Sequence, residues 1–318
     1  KQFIALIGEG SLYQQSTQRL SGPGYAAPMI VTNSDFRFIA TQQLADAGLD
    51  PGAVLIEPQA RNTAPALLAA ALVQMQSDPE ALMLAAPSDH YITQAEKFRE
   101  SVQSGVAAAL AGQIVTFGIT PDRPETGYGY LELGEGDRAT AVPLKRFVEK
   151  PKLAEAERML EAGGYLWNAG IFMYTARTLV DAYAAHAPEM LKHVQAAVDA
   201  ARPDLGFLRL DPEAWAQCED ISVDFAIMEK VNNLSVIEHH GDWSDLGGWT
   251  AVHQHAQTDA NGVALQGTAL AIDCKDSLLR SENEGQQIVG LGLDGIVAVA
   301  MPDAVLIAHR DRVAEVGN

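Results

Sequence analysis

Two aspartates that lie far apart in the chain carry the clearest chemical signal. Asp89 lies in the stretch Pro87–His90 (PSDH), and Asp245 lies in Trp243–Trp249 (WSDLGGW). Each follows an apolar run that predicts a strand ending in a turn, where open α/β sheets gather their ligand-binding groups. Hard divalent cations bind carboxylate oxygens and substrate phosphate oxygens at the same time. This pair of aspartates is therefore typical of metal-dependent phosphoryl or nucleotidyl transfer. Either aspartate alone is more often a turn former or a helix cap.

The charge balance limits the kinds of partner. The 318 residues include 22 Lys and Arg against 41 Asp and Glu, a formal net charge of −19. Nucleic-acid surfaces need clustered positive charge, so no nucleic-acid partner is expected. An anionic substrate must therefore be bound by local lysines, backbone amides and a metal ion. The length suits one large α/β domain with a small appendage, or two ordinary domains.

Targeting and cysteine signals are absent from the sequence. No run of eighteen apolar residues occurs, and the start at Lys1–Gly8 is too short and wrongly flanked for a signal peptide. The cysteines, Cys218 and Cys274, form neither a CxxC motif nor a zinc-ligand pattern. We therefore expect a cytoplasmic protein with no membrane partner, no disulfide framework and no structural zinc.

Short apolar runs alternate with helical patterns to about residue 250, which predicts an α/β fold with a mostly parallel sheet flanked by helices. The apolar run Ala81–Ala86 predicts a central strand covered on both faces that delivers Asp89 at its carboxyl end. Arg61–Pro65 predicts the start of an alanine-rich helix, with Asn62 or Thr63 as cap and free backbone N–H groups beside a strand end. One helix is predicted from Thr178 to about Ala201. We expect a main domain over 1–254 and a small β-rich domain over 255–318.

Three further segments carry residues that could contact a ligand. Closely spaced glycines and tyrosines in Glu125–Leu133 would let backbone approach a ligand beside a flat aromatic wall, although a ligand-free hairpin fits the same pattern. Glu149 and Lys150 end the next strand, where a surface ion pair is the alternative interpretation. Asn168 lies among apolar and aromatic neighbours, so its amide needs a partner.

The joint order of these segments resembles the bacterial mannose-1-phosphate guanylyltransferases, which belong to the sugar-nucleotidyltransferase family. The resemblance covers nearly the whole chain, from Lys1 to Val313. It implies a Rossmann-like, glycosyltransferase-A-like nucleotidyltransferase domain that requires Mg²⁺. The implied reaction converts GTP and α-D-mannose 1-phosphate to GDP-mannose and diphosphate.

The resemblance also implies residue roles at the matching positions. Asp89 and Asp245 match metal-holding aspartates, and Lys1 matches a phosphate-contacting lysine, so these three are the candidate catalytic residues. The candidate nucleotide-binding residues are Arg61, Asn62, Thr63, Ser88 and Asp89. The candidate sugar-phosphate-binding residues are Gly127, Tyr128, Gly129, Glu149, Lys150 and Asn168.

The chain departs from the family pattern at its start. Family members begin with a strand and a glycine-rich loop of the type GGxGTRLWPLSR before a PKQF motif, whereas this sequence starts at Lys1-Gln2-Phe3. We expect the strand and loop to precede Lys1 in the full protein. The alternatives are a non-catalytic nucleotide-sugar-binding regulatory homologue and a nucleotidyltransferase for another hexose 1-phosphate. The apolar runs of the β-rich tail also suggest a homodimer.

Overall fold

The computed structural model describes residues 1–317, which pack as two compact units. The larger unit comprises Tyr13–Ser88 and Ile92–Trp243. The smaller unit comprises Lys1–Leu12, Asp89–Tyr91 and the chain from Ser244 onward. Both units combine segments that are distant in sequence, so their limits differ from the division at residues 254 and 255, which stays a prediction about functional domains. Helix α1 (Leu12–Arg19) follows the first segment.

One sheet of the larger unit has four strands in the order β1-β2-β9-β8. Its strands are β1 (Met29–Asn33), β2 (Ala53–Glu57), β8 (Arg202–Asp204) and β9 (Phe207–Arg209). β1 pairs with β2, and β2 with β9, in parallel, whereas β8 and β9 are antiparallel. The parallel strands deliver their carboxyl ends, including Glu57, to one edge, as the α/β prediction requires.

The second sheet of the larger unit has six strands in the order β3-β7-β4-β10-β6-β5. Its strands are β3 (Leu82–Ala85), β4 (Ile114–Ile119), β5 (Tyr130–Leu133), β6 (Val142–Val148), β7 (Tyr165–Thr175) and β10 (Leu234–Glu238). β4 and β10 are parallel, and antiparallel pairs surround them, so the sheet is mixed. The predicted α/β class is confirmed.

The prediction of a central position for the run Ala81–Ala86 was wrong. Within residues 1–317, β3 is an edge strand that pairs with β7 alone, and Leu82 is exposed. An apolar run indicates that the side chains of a strand pack against neighbouring layers. It does not indicate how many strands lie beside that strand in the sheet. The strand does lead toward Asp89, as predicted.

Helices cover these sheets and hold most of the core. They are α2 (Arg37–Asp46), α3 (Thr63–Met75), α4 (Ala95–Leu110), α5 (Leu153–Ala162), α6 (Ala176–His186), α7 (Pro188–Asp199), α8 (Pro212–Trp215) and a π-helix (Asp224–Met228). The small side chains of α3 are largely buried and let it pack closely against α6 and α7. Trp215 is fully buried and donates from its indole nitrogen to the Gln59 carbonyl oxygen at 2.7 Å.

The single helix predicted from Thr178 to about Ala201 is in fact two. α6 ends at His186, and α7 begins at Pro188. Proline has no N–H to continue the hydrogen-bond ladder, and its ring disfavours helical backbone at the preceding residue. Ala187 accordingly has φ −147° and ψ 55°. The apolar periodicity continued across this break and concealed it.

The smaller unit is built from short strands and one helix, α9 (Trp249–His255). Its strands are β11 (Ala264–Gln266), β12 (Ala269–Ile272), β13 (Leu278–Ser281), β14 (Ile288–Leu291), β15 (Ile296–Ala300) and β16 (Val305–His309). A 3₁₀ helix, Val313–Gly317, follows them. The buried guanidinium of Arg280 donates to the carbonyl oxygens of Ala5 at 2.7 Å and Leu6 at 2.9 Å, which joins the first residues to this unit.

Two surface features bear on partners. β12 and β14 expose four aliphatic side chains in neighbouring register positions, Leu270, Ile272, Val289 and Leu291. Across the described residues 1–317, no helix combines the length and apolar character that crossing a bilayer requires.

Leu68 offers a test of the α3 core. It is 0% exposed, whereas Leu110 at the end of α4 is 59% exposed. We expect Leu68→Ala to lower the free energy of unfolding by about 2–5 kcal/mol, because it removes buried methyl groups and leaves a cavity. The matched Leu110→Ala change should stay within about 0.5 kcal/mol. Urea unfolding measures both; equal losses for the two variants would contradict this assignment of the core.

Candidate functional site

The two aspartate segments meet in the smaller unit. Tyr91 and Ser244 form an antiparallel bridge, in which the Tyr91 N–H donates to the Ser244 carbonyl oxygen at 2.8 Å and the Ser244 N–H donates back at 2.9 Å. Asp89 lies two residues before one member of this bridge, and Asp245 directly follows the other. Two backbone hydrogen bonds thus bring together residues that are distant in sequence.

Lys1 joins this pair. Its Nζ lies 3.0 Å from Asp89 Oδ2, and it also donates a hydrogen bond to the Asp245 carbonyl oxygen. The Lys1 and Asp89 side chains are 34% and 32% exposed, so the ion pair is partly accessible to a ligand. The structure therefore gathers the three predicted catalytic residues in one place, with a positive charge beside the carboxylate.

The turn after Asp245 depends on glycine. Asp245 Oδ1 accepts from the Gly247 N–H at 3.0 Å, and a Cβ added at Gly247 would lie 2.9 Å from Asp245 Oδ2. Leu246 has φ +45°, and its N–H donates to Ser244 Oγ at 3.1 Å. A Cβ at position 247 would crowd the Asp245 carboxylate in the position it takes over this turn.

The Asp89 and Asp245 side chains suit a cation that is also bound by a substrate phosphate. Among the residues described, no group of three or more His, Cys, Asp or Glu side chains could enclose a metal ion. Mg²⁺ typically takes one or two protein carboxylates and completes its shell with water and substrate phosphates. Asp89 already stabilises a cationic ammonium group, so its carboxylate can serve as such a ligand.

A second group of predicted residues lies in the larger unit, at the end of β6. The Glu149 side chain is 8% exposed, and its Oε1 lies 3.5 Å from Lys150 Nζ. Burial, together with the nearby Asp224 and Glu229 carboxylates, raises the pKa of Glu149 to about 7, although Lys150 opposes the shift. The Glu149 N–H donates to Glu229 Oε1 at 3.0 Å. This buried carboxyl can exchange a proton near neutral pH, unlike an exposed surface ion pair.

Gly129 leaves the space that Glu149 occupies. A Cβ added at Gly129 would lie 2.6 Å from Glu149 Oε2. The Gly129 carbonyl oxygen accepts from the Asn168 N–H at 2.8 Å, so β7 is bound at the same point. The glycine predicted to let backbone approach a ligand thus also lets the chain approach a carboxylate.

The Asn168 side chain is almost completely hydrogen-bonded within the fold. Its Oδ1 accepts from Thr116 Oγ1 at 2.8 Å and from the Gly170 N–H at 3.1 Å. Its Nδ2 donates to Asp224 Oδ1 at 3.0 Å. The partner that the sequence required for this amide is therefore a threonine on β4 and an aspartate on the π-helix.

Sequence reasoning missed Asp224. It lies in none of the segments singled out from the sequence. Burial raises the pKa of Asp224, opposed by hydrogen bonds and by Lys150. The only signal in the sequence was the unmet need of Asn168 for a partner, and that signal does not identify where the partner lies.

The glycine and tyrosine segment is ordered by its own side chains. The Gly127 N–H donates to Glu125 Oε1 at 3.0 Å. The Tyr128 ring meets both Trp167 and Trp243 edge-to-face, with ring centroids 5.3 Å apart in each case. Tyr128 is thus part of an aromatic wall, as its type suggested.

The candidate nucleotide segment is more fully bonded than expected. Asn62 caps α3 by accepting from the Thr63 N–H at 3.0 Å, while Thr63 Oγ1 accepts from the Val223 N–H at 2.9 Å. The Ala64 N–H donates to the Ile221 carbonyl oxygen, and Pro65 has no N–H. The expectation of free amides at this helix start was therefore wrong at these positions: the Asn62 side chain accepts from the Thr63 N–H, and the Ile221 carbonyl oxygen accepts from the Ala64 N–H.

The other two nucleotide candidates keep some accessible surface. The Arg61 guanidinium donates to Gln59 Oε1 at 3.2 Å and to the Ala216 carbonyl oxygen at 3.0 Å. Ser88 is half-buried just beyond β3. Their roles toward a nucleotide stay predictions.

Comparison with known proteins identifies the family of the chain. The family described as "Nucleotidyl transferase" matches residues 1–262. The chain is 39% identical over 320 residues to a mannose-1-phosphate guanylyltransferase of Sinorhizobium fredii, across 100% of this chain and 62% of that protein. It is 39% identical over 317 residues to xanthan biosynthesis protein XanB of Xanthomonas campestris pv. campestris, across 99% of this chain and 67% of that protein. The chain therefore spans about two thirds or less of the length of these curated relatives.

A solved structure extends the similarity to three dimensions. The crystal structure described as mannose-1-phosphate geranyltransferase from Thermus thermophilus matches with a TM-score of 0.83 and 27% sequence identity. The match covers 99% of this chain and 91% of that one. The resemblance inferred from the ordered motifs is confirmed.

Glu149 gives the site a pH dependence that can be measured. Its pKa is about 7 in the folded protein against an ordinary value of 4.5, so unfolding releases a proton between these values. The stability associated with this group is present below about pH 4.5 and is lost as the pH rises through about 7. We expect the free energy of unfolding of Glu149→Gln to fall less than that of the wild type over this window.

Urea unfolding at several pH values provides the measurement. Glu157→Gln, at an exposed position of α5, controls for the loss of one negative charge. Parallel curves for Glu149→Gln and the wild type would contradict the raised pKa.

Proposed function

The chain belongs to the nucleotidyl transferase family, and we propose that it is a Mg²⁺-dependent mannose-1-phosphate guanylyltransferase. In this reaction GTP and α-D-mannose 1-phosphate form GDP-mannose and diphosphate. Nucleotidyl transferases generally use a divalent metal ion, and Mg²⁺ is the proposed one. The names of the full-length relatives support the choice of base and sugar.

The observation that carries the proposal is the cluster of Lys1, Asp89 and Asp245. A carboxylate held 3.0 Å from an ammonium group, beside a second aspartate, offers ligands for a metal and a positive charge for a phosphate. Phosphates bound by a protein with a formal net charge of −19 need such local compensation. We assign the metal to Asp89 and Asp245 and a phosphate contact to Lys1.

The proposed reaction requires the protein mainly to align the substrates and to neutralise their charge. An oxygen of the sugar phosphate attacks the α-phosphorus of GTP in line, and the bond to the bridging oxygen of the leaving diphosphate breaks. The nucleophile is already ionised near neutral pH, so no strong general base is needed, and rate enhancement comes from alignment and electrostatics. The metal, when bound, neutralises charge that develops on the phosphate oxygens.

Residues of the larger unit are proposed to bind the sugar phosphate. Glu149 has buried carboxyl oxygens that can accept from sugar hydroxyls, and Asn168 supplies an amide N–H. Lys150 is exposed and offers a positive charge to the phosphate. Backbone at Gly127 and Gly129 and the Tyr128 ring complete the proposed sugar contacts.

The nucleotide is proposed to bind near Arg61, Asn62, Thr63, Ser88 and Asp89. The first backbone N–H groups of α3 already make hydrogen bonds. Contacts to the nucleotide at this point therefore come from side chains and from backbone carbonyl oxygens, each of which can accept a second hydrogen bond. Self-association as a homodimer also stays a prediction; the exposed aliphatic face of β12 and β14 supports it.

Diphosphate release tests the proposed reaction. The full gene product, with Mg²⁺, is assayed with each of GTP, ATP, UTP and dTTP against mannose 1-phosphate and glucose 1-phosphate. We expect rapid release with GTP and mannose 1-phosphate. Preference for another pair would change the substrate assignment, whereas silence in all combinations with retained GDP-mannose binding would favour a regulatory homologue.

Asp89→Asn and Asp245→Asn test the metal assignment. Each change removes one anionic ligand, so we expect turnover to fall about a hundredfold or more and the Mg²⁺ concentration for half-maximal rate to rise. Asp303→Asn, at an exposed position of the smaller unit, is the matched control. Wild-type turnover and Mg²⁺ dependence in either site variant would remove that residue from the metal site.

A further inference from the structure

The Asn168 amide has a single possible orientation. The Gly170 N–H can only donate, so it must face Oδ1, and the Asp224 carboxylate, when ionised, can only accept, so it must face Nδ2. One amide N–H is therefore committed to Asp224. Within residues 1–317, the one hydrogen bond shown for Nδ2 is the bond to Asp224, so the second N–H is not committed to that carboxylate.

Asp224 is held firmly in turn. It is the first residue of the π-helix, and such short π-helical segments are frequent at functional sites. The preceding residues, Ile221 and Val223, are bonded to the start of α3 at Ala64 and Thr63. Ala226, Ile227 and Met228 of the π-helix are buried in the core. The backbone that carries Asp224 is thus fixed by bonds before it and by buried side chains after it.

Asp224 also lies in the electrostatic environment of Glu149. After burial, the Asp224 charge is the largest contribution that raises the pKa of Glu149. The charged groups around Glu149 are Asp224 on the π-helix, Glu229 just after it, and Lys150 on its own segment. The same Lys150 stabilises the ionised form of Asp224.

We propose that Asp224 is a positioning residue for the sugar side of the reaction, which fixes the Asn168 amide and places a negative charge beside Glu149. The inference rests on the proposed function, because it assigns the sugar phosphate to Asn168 and Glu149. Asp224 polarises the amide through a charge-assisted hydrogen bond, so the remaining N–H becomes a better donor to a sugar hydroxyl. No contact between Asp224 and the substrate is required.

Two substitutions separate the hydrogen bond from the charge. Asp224→Ala removes both, and we expect the KM for mannose 1-phosphate to rise about tenfold to a hundredfold, as for a lost hydrogen bond to a charged group. The KM for GTP should stay within about twofold, because a general loss of structure would affect both substrates. Asp224→Asn keeps an acceptor oxygen, so its KM for mannose 1-phosphate should rise no more than about threefold.

The charge has its own readout, which needs no substrate. Carbon-13 NMR of labelled glutamate carboxyls follows the titration of Glu149, with Glu149→Gln to assign the signal. We expect the Glu149 midpoint, about 7 in the wild type, to fall in Asp224→Asn because a neighbouring negative charge is gone. Asp220→Asn, an exposed aspartate just before this segment, is the matched control for both experiments.

The outcomes are separable from those of the proposed function. If the wild type is active but Asp224→Ala matches Asp220→Asn in its KM for mannose 1-phosphate, or if Asp224→Asn leaves the Glu149 midpoint unchanged, the inference is overturned and the function stands. If the wild type releases no diphosphate, the proposed function fails. Calorimetric binding of mannose 1-phosphate to the same variants then decides the inference.

Discussion

The hydrogen-bonding requirement of one buried amide organises the centre of the larger unit. Asn168 lies on β7, and its side chain binds Thr116 on β4 and Asp224 on the π-helix. Leaving this buried amide without these partners would cost about 1–3 kcal/mol. That cost favours the arrangement in which β4, β7 and the π-helix meet at Asn168. The segment before the π-helix is tied to the start of α3 by two further hydrogen bonds. One polar side chain thus links β4, β7 and the π-helix.

Negative charge in a low-dielectric setting is the second constraint. Glu149 and Asp224 are both carboxyl groups withdrawn from water, and burial raises the pKa of each. Lys150 offsets part of that cost. In the smaller unit Lys1 forms an ion pair with Asp89. Asp89 and Glu149 each have a lysine beside them, which is how a strongly acidic protein can present positive charge to a phosphate.

Two glycines make these carboxylates possible. At Gly129 an added Cβ would lie 2.6 Å from Glu149 Oε2, and at Gly247 it would lie 2.9 Å from Asp245 Oδ2. In both places the absent side chain leaves room for a carboxylate to lie against backbone. These two glycines therefore make room for acidic side chains of the protein itself. A ligand would approach carboxylates that the glycines have already allowed into place.

Residue types and local order alone determined the α/β class, most of the helices and strands, and the motifs of a nucleotidyl transferase, because these depend on periodicity and on short segments such as Pro87–His90. Tertiary structure decided what depends on pairing between distant segments. Within residues 1–317 it placed β3 at a sheet edge, bonded the Ala64 N–H at the start of α3 to Ile221, and supplied Asp224 as the partner of Asn168. Folding brings together the residues that bury one another and form these hydrogen bonds. A local sequence pattern does not identify which distant residue will become the partner.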